Sequence, residues 1–203
     1  LLVATVVGSG IMAERLSGGN DAIALLGNTL ATGAILYVLI TIFGTISGAH
    51  FNPAVSVVMA LKGDLKKNSL TPYICVQIIG GVCGTFLAHL MFETPILQLS
   101  EILRSGMFQY ISEMVATFGL VLTILLGVRY KPDAVAMLVA LYITAAYWFT
   151  ASTSFANPAV TIARTLTNSF SGIHFGDTGY FILAQLLGSL LALGLFRVLA
   201  PSK

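Results

Sequence analysis

Ser47-Gly-Ala-His-Phe-Asn-Pro-Ala-Val-Ser56 is matched by Ser152-Thr-Ser-Phe-Ala-Asn-Pro-Ala-Val-Thr161, 105 residues further along the chain. Each copy carries one Asn-Pro-Ala: Asn52, Pro53 and Ala54 in the first, Asn157, Pro158 and Ala159 in the second. A residue before proline is pushed out of helical geometry, whereas proline suits the first turn of a helix. Each copy therefore reads as a loop that ends at Asn and a short helix that starts at Pro. One such signal is an ordinary helix start. The surroundings of the two copies decide the fold.

Those surroundings are apolar. Of 203 residues, 57% are hydrophobic and 9% charged, against about 25% charged in an ordinary soluble domain. Residues 22–61, 68–92, 134–163 and 178–196 contain no Asp, Glu, Lys or Arg. About 20 apolar residues in a helix cross the hydrocarbon core of a bilayer. One buried helix of a soluble protein explains one such run but not four, so the chain is a multi-pass membrane protein with lipid as its solvent. The formal net charge of +2 comes with no basic stripe for nucleic acid. Cys75 and Cys83 are eight residues apart. That is over two helical turns, too far for a disulfide. No His or further Cys clusters with them for a metal, so they read as small packing residues and no cofactor is implied. Leu1 to Ala13 has no basic residues before it and no cleavage pattern after it. It reads as the second half of a membrane helix, not as a signal peptide.

Apolar runs between turn residues give six spans, at roughly 1–16, 23–44, 70–92, 108–129, 134–151 and 178–198. The stretches 45–61 and 152–169 hold the two Asn-Pro-Ala copies and are too short to span. Non-helical backbone at membrane depth is tolerated only inside protein or beside a watery cavity. Both stretches are thus expected to be re-entrant half-helices. Gln77-Ile-Ile-Gly-Gly81 and Gln185-Leu-Leu-Gly-Ser189 extend the repeat. The expected fold is an all-α membrane protein with a single channel domain over 1–203, built from repeats 1–92 and 108–199. Each repeat has three spans, an odd number, so the second inserts upside down. Inverted repeats place a solute site near the bilayer midplane. Gly80, Gly81 and Gly84, and Gly188 with Ala184 and Ala192, read as small faces for close helix packing. The loop from Thr94 to Gly106, with Glu93, Glu101 and Arg104 at its edges, reads as an outer connector.

Basic residues set the orientation. Lys62, Lys66, Lys67, Arg129, Lys131, Arg197 and Lys203 fall on one side of this topology, and Arg15, Arg104 and Arg164 on the other. The richer side is assigned to the cytoplasm. Each half-helix then points its N-terminus at the membrane centre, where unpaired N–H groups carry roughly half a positive charge. Two such ends face to face repel cations. Each Asn can cap its helix and still offer an amide N–H to a passing solute. A hydroxyl-bearing molecule regains lost water hydrogen bonds there, and a cation does not.

Two Asn-Pro-Ala copies in an inverted repeat of uncharged membrane sequence resemble the aquaporin and aquaglyceroporin family, the major intrinsic proteins. The resemblance covers essentially the whole chain. It implies six spans, two half-helices, one pore per subunit, no enzymatic activity and a homotetramer in membrane lipid. Glu113 resembles the family's buried glutamate, which accepts hydrogen bonds from a re-entrant loop; its counterpart would precede Leu1. The resemblance also puts His50 in the pore wall, cytoplasmic of Asn52. Bracing of the loop is the other reading of His50.

The same resemblance places a four-residue filter outside the central Asn pair: Thr32, Ala145, Ser154 and Val160. Family members usually carry Arg at the last position. Here all four residues are small, none is aromatic and none is charged, so a wide opening is expected. Arg164 lies seven residues after Asn157, about 10 Å along the helix. The expectation there is an outer-mouth residue that cannot replace the missing Arg. Phe43, Trp148 and Phe149 are aromatics close enough in sequence to narrow the lumen. A ring with Val in place of Arg resembles a bacterial branch associated with arsenic resistance, which implies the bacterial inner membrane and neutral metalloid acids or methylated arsenicals beside water, glycerol and urea. An ordinary glycerol facilitator or water channel is the nearest alternative. An ion-coupled transporter needs intramembrane acids, and only Glu113 qualifies. A closed packing protein is the third alternative, against which the small filter residues argue.

Overall fold

The structure is a computed structural model in which residues 1–201 are described. Lys203, counted above among the cytoplasmic cations, lies outside them. The described residues form eight α-helices and no strand: α1 (Leu2–Leu16), α2 (Asp21–Ser47), α3 (Pro53–Lys62), α4 (Lys67–Met91), α5 (Met107–Tyr130), α6 (Val135–Phe149), α7 (Pro158–Arg164) and α8 (Phe175–Leu199). A 3-10 turn at Pro132–Ala134 leads into α6. Five segments are long and apolar enough to cross a membrane: α2, α4, α5, α8, and α6 with its 3-10 turn. Helix α1 has 15 residues, about 22 Å, and packs as the sixth member of the bundle.

Capping sets the boundaries and explains where they depart from expectation. Asn20 caps α2, accepting from Ala22 N at 3.0 Å and Ile23 N at 3.2 Å. That helix runs on to Ser47 because Gly48, at φ 76°, supplies the left-handed end. Helix α8 begins at Phe175, earlier than the apolar run indicates, because the His174 side chain accepts from Gly176 N at 3.1 Å. The half-helices α3 and α7 begin at Pro53 and Pro158, behind the caps Asn52 and Asn157.

Packing comes in matched sets. Helix α1 lies against α2 and α4, and α5 lies against α6 and α8; α2 meets α6, and each half-helix touches both α4 and α8. The apolar partners are exchanged. Val55, Val58 and Met59 of α3 pack with Val121 and Leu125 of α5 and with Leu193 and Phe196 of α8. Val160 and Ala163 of α7 pack with Val3, Val7 and Ile11 of α1 and with Ala88 of α4. Lipid tails are as apolar as these side chains, so fit rather than escape from water holds the bundle together. Close approaches show where fit matters most. A Cβ on Gly188 would collide with the carbonyl of Met114 on α5. On Gly84 it would sit 3.0 Å from Ala4 N, and on Gly81 3.3 Å from Ala159 O. Gly80, expected on the same face, looks onto open space instead.

The outward faces are apolar: Leu30, Ile42, Val76, Ile79, Leu141 and Leu187 are all exposed. Cys75 and Cys83 are free and also exposed, so they do not pack inside the bundle as expected. At one end, Lys62 pairs with Asp64 at 2.6 Å. At the other, the connector 92–106 is strapped onto the segment after α7. Ser100 N donates to Thr165 O at 2.9 Å, His174 N to Ile102 O at 2.7 Å, and Arg104 Nε to Gly172 O at 2.8 Å.

Candidate functional site

The two Asn-Pro-Ala turns meet in the interior. Asn52 Oδ1 accepts from Ala54 N at 2.9 Å, and Asn157 Oδ1 from Ala159 N at 3.0 Å and Val160 N at 3.3 Å. Each amide nitrogen then crosses to the other loop. Asn52 Nδ2 donates to Ala156 O at 2.7 Å and Asn157 Nδ2 donates to Phe51 O at 2.8 Å. An amide NH2 has two hydrogens. One is used in each crossing and one is left for the lumen.

The loops that deliver the two Asn residues are strained. Ala49 and Phe51 have φ of 46° and 47°; Ser154 and Ala156, their repeat partners, have 51° and 47°. Left-handed non-glycine residues cost about 1–3 kcal/mol each and persist only where the surroundings hold them. Glu113 does the holding in the second loop. It is fully buried, and its carboxylate accepts from Phe155 N and Ala156 N, both at 2.8 Å, and from Gln185 Nε2 at 2.6 Å. A second brace recurs in both halves. Gln77 Nε2 donates to Ser56 Oγ at 2.9 Å, which donates to Asn52 O at 3.1 Å. Gln185 Nε2 donates to Thr161 Oγ1 at 2.9 Å, which donates to Asn157 O at 2.9 Å. The repeated Gln was visible in the sequence, but its bracing role was not read there.

His50 lines the cavity described below and also braces its loop. Its Nδ1 is 3.1 Å from Ser56 Oγ. The Ser56 hydrogen is already given to Asn52 O, so His50 Nδ1–H is the donor. His50 thus touches the cavity with one part of its ring and holds its loop with another.

A cavity of about 310 Å³ runs past both Asn residues. Its wall is made of helix stripes four residues apart: Thr32, Leu36 and Ile40 on α2; Leu120, Ile124 and Val128 on α5; Val135, Val139, Ile143 and Tyr147 on α6. Leu2 and Val6 of α1 close it. The loops complete the wall with His50, Asn52, Ser154, Phe155 and Asn157, and α7 adds Val160 and Arg164. The lumen thus has apolar stripes on most sides and one polar line along the loops. That pairing suits a solute with a hydrocarbon edge and hydroxyl or amide groups.

Thr32, Ser154 and Val160 line the cavity, and Ala145 does not. Ala145 is exposed on the outer face of α6. Tyr147, 3% exposed, takes the inward place, and its hydroxyl donates to Thr32 Oγ1 at 3.3 Å. The expectation failed because it counted twelve residues back from Asn157. Only seven residues, 150–156, separate α6 from Asn157, and the stripe from Val135 falls on Tyr147. The cavity wall is therefore not free of aromatics. Phe155 joins Tyr147 in the wall, while Trp148 and Phe149 are half exposed and face outward. Phe43 borders a second cavity beside α1 and α4, which shares Leu2, His50, Phe51 and Val160 with the first.

Arg164 also departs from expectation. It is 2% exposed, lines the cavity, and lies with its Cζ 3.3 Å from the centre of the Phe155 ring. Helical side chains lean toward the helix N-terminus, and a long one recovers much of the distance counted along the axis. Its Nε donates to Ser171 O, and its Nη1 is buried without a partner. No group of three or more His, Cys, Asp or Glu that could hold a metal occurs among the described residues.

Comparison with known proteins gives the family and the fold. The sequence profile described as "Major intrinsic protein" matches residues 1–131. Aquaglyceroporin AqpS of Rhizobium meliloti (strain 1021) is 59% identical over 204 residues, covering 100% of this chain and 87% of that protein. The glycerol uptake facilitator protein of Streptococcus pneumoniae (strain ATCC BAA-255 / R6) is 31% identical over 141 residues, 61% of this chain and 58% of that protein. In three dimensions the chain is similar to the X-ray structure of the aquaglyceroporin from Plasmodium falciparum. The TM-score is 0.76 at 21% identity, with 98% of this chain and 93% of that one covered.

Proposed function

Because this chain belongs to the major intrinsic protein family, a family of channels and not enzymes, we propose that it is a passive route for small uncharged solutes centred on Asn52 and Asn157. It is a multi-pass membrane channel with the aquaporin fold, for water and glycerol-type solutes. The observation that carries the finer reading is the crossed pair of Asn amides at the N-termini of two buried half-helices. These donors offer hydrogen bonds to a neutral solute, and the two positive helix ends oppose a cation.

We propose that the outer constriction is Thr32, Tyr147, Ser154 and Val160, with His50 on the inner side. Val160 leaves open the space that Arg takes in relatives, and Tyr147 narrows the opposite wall. The opening is wider than a water filter only where Val160 stands, with Arg164 of the same helix bordering that space. Neutral metalloid acids and methylated arsenicals fit such an opening, and the resemblance of the Val-bearing ring supports them as solutes. The channel is one domain of two inverted repeats, assembles as a homotetramer and sits in the bacterial inner membrane.

Reswelling of proteoliposomes after shrinkage in glycerol, urea or sorbitol tests the solute range, with arsenous acid entry measured by arsenic content. Fast glycerol, urea and arsenous acid entry with slow sorbitol entry is expected. Water flux without any of these solutes would return the reading to an ordinary water channel. An ion-coupled transporter is disfavoured because Glu113, the intramembrane acid, has both carboxylate oxygens engaged by the loop and Gln185.

A further inference from the structure

Two side chains in the cavity wall have a buried polar atom with no partner: Arg164 Nη1 and Ser154 Oγ. Both residues are 2% exposed. Buried polar groups are nearly always hydrogen-bonded, and a buried charge without an opposite charge is costly. The one ion pair among the described residues is Lys62–Asp64, so Arg164 is not neutralised by a carboxylate. We propose that Arg164 and Ser154 form a binding subsite for small oxyacids on the outer side of Asn157, with Arg164 supplying the cation that position 160 lacks.

Position supports this. Asn157, Val160 and Arg164 lie on one face of α7, and all three line the cavity. The Arg164 guanidinium sits over Phe155, the residue next to Ser154. Its planar group is fixed at Nε by Ser171 O and at its face by the ring, which pre-orients the remaining N–H groups. Across the lumen the Tyr147 hydroxyl is committed to Thr32, so the unused donors are on the Ser154 side. A second guanidinium, Arg104, has its Cζ 5.0 Å from the same Phe155 ring and is held by Gly172 O and Phe170 O. The nearby Asp177 carboxylate accepts from Arg104 N and Ser105 Oγ rather than from either guanidinium.

The chemistry selects the ligand class. A guanidinium over the Phe155 ring, with the Ser154 hydroxyl one residue away in the same wall, supplies two donors that match two oxygens on one atom. Carboxylic, phosphonic and other trigonal or tetrahedral oxyacids have that arrangement, neutral or as monoanions. A polyol, with its oxygens on separate carbons, matches it less well. The small Val160 leaves room for a methyl or hydroxyl substituent.

The proposal rests on the channel reading, and one assay separates the two. Urea reswelling of proteoliposomes holding the full chain is followed with methylphosphonate monoanion added outside. Inhibition of urea entry is expected in the parent. Ser154→Ala and Arg164→Lys should raise the half-inhibiting concentration, by about tenfold for loss of one charge-assisted hydrogen bond. Arg164→Gln should abolish inhibition and raise sodium leak. If Arg164→Gln fails to fold, the other two variants carry the test. Urea entry that methylphosphonate does not slow, or slows equally in the parent and all variants, overturns the subsite alone. No urea entry in the parent overturns the channel reading beneath it.

Discussion

Asn52 donates its amide hydrogen to the carbonyl of Ala156, 104 residues away, at 2.7 Å. Asn157 returns the bond to Phe51 at 2.8 Å. The two half-helices are thereby locked to one another at their N-termini, and the strained backbone on either side is held by its own product. Each Asn thus ties its own loop to the opposite one.

Glu113 should therefore matter to stability as well as to flux. In Glu113→Ala the Phe155 and Ala156 N–H groups lose their acceptor in a buried site, at about 1–3 kcal/mol each. A lower melting temperature in detergent and slower solute entry are expected. Unchanged melting would show that the loop is held by other contacts.

The close approach of α8 to α5 predicts a contrast between two glycines. Gly188→Ala meets the Met114 carbonyl and should destabilise by about 1–3 kcal/mol, the range for overpacking. Gly80→Ala meets nothing within 4 Å and should gain up to about 1 kcal/mol of helix propensity. Melting curves of the two variants check this, and equal shifts would contradict it.

The inward face of α6 can be located by paired substitutions. Tyr147→Ala should speed sorbitol entry relative to glycerol. Ala145→Phe, on the exposed face, should leave both rates unchanged. The reverse pattern would restore Ala145 to the filter.

Val160→Arg should slow glycerol and urea more than water, because a large side chain enters beside Ser154 and Phe155. Parental rates for the larger solutes in that variant would mean that position 160 does not bound the constriction.

Much of this was legible in the sequence because its signals are local. The Asn-Pro step marks a cap and a helix start by sterics alone, and it located the starts of α3 and α7. The long uncharged runs located the spans, with ends displaced where Gly48 and His174 cap beyond the apolar stretch. The filter was less legible because it depends on distance through space. Counting back from Asn157 chose Ala145, whereas the four-residue stripe from Val135 to Tyr147, also present in the sequence, is the one that lines the cavity. Arg164 was placed by axial rise, which ignores a long side chain leaning back one turn. The Gln77 and Gln185 braces could not be assigned until the hydroxyls of Ser56 and Thr161 were seen between helix and loop.

The most direct test is the temperature dependence of urea reswelling in proteoliposomes with no ion gradient. A passive pore through the Asn52–Asn157 centre should give fast entry with a weak temperature dependence, unchanged when a proton or sodium gradient is imposed. Entry that needs such a gradient, or that is no faster and no less temperature-dependent than in protein-free liposomes, would contradict it.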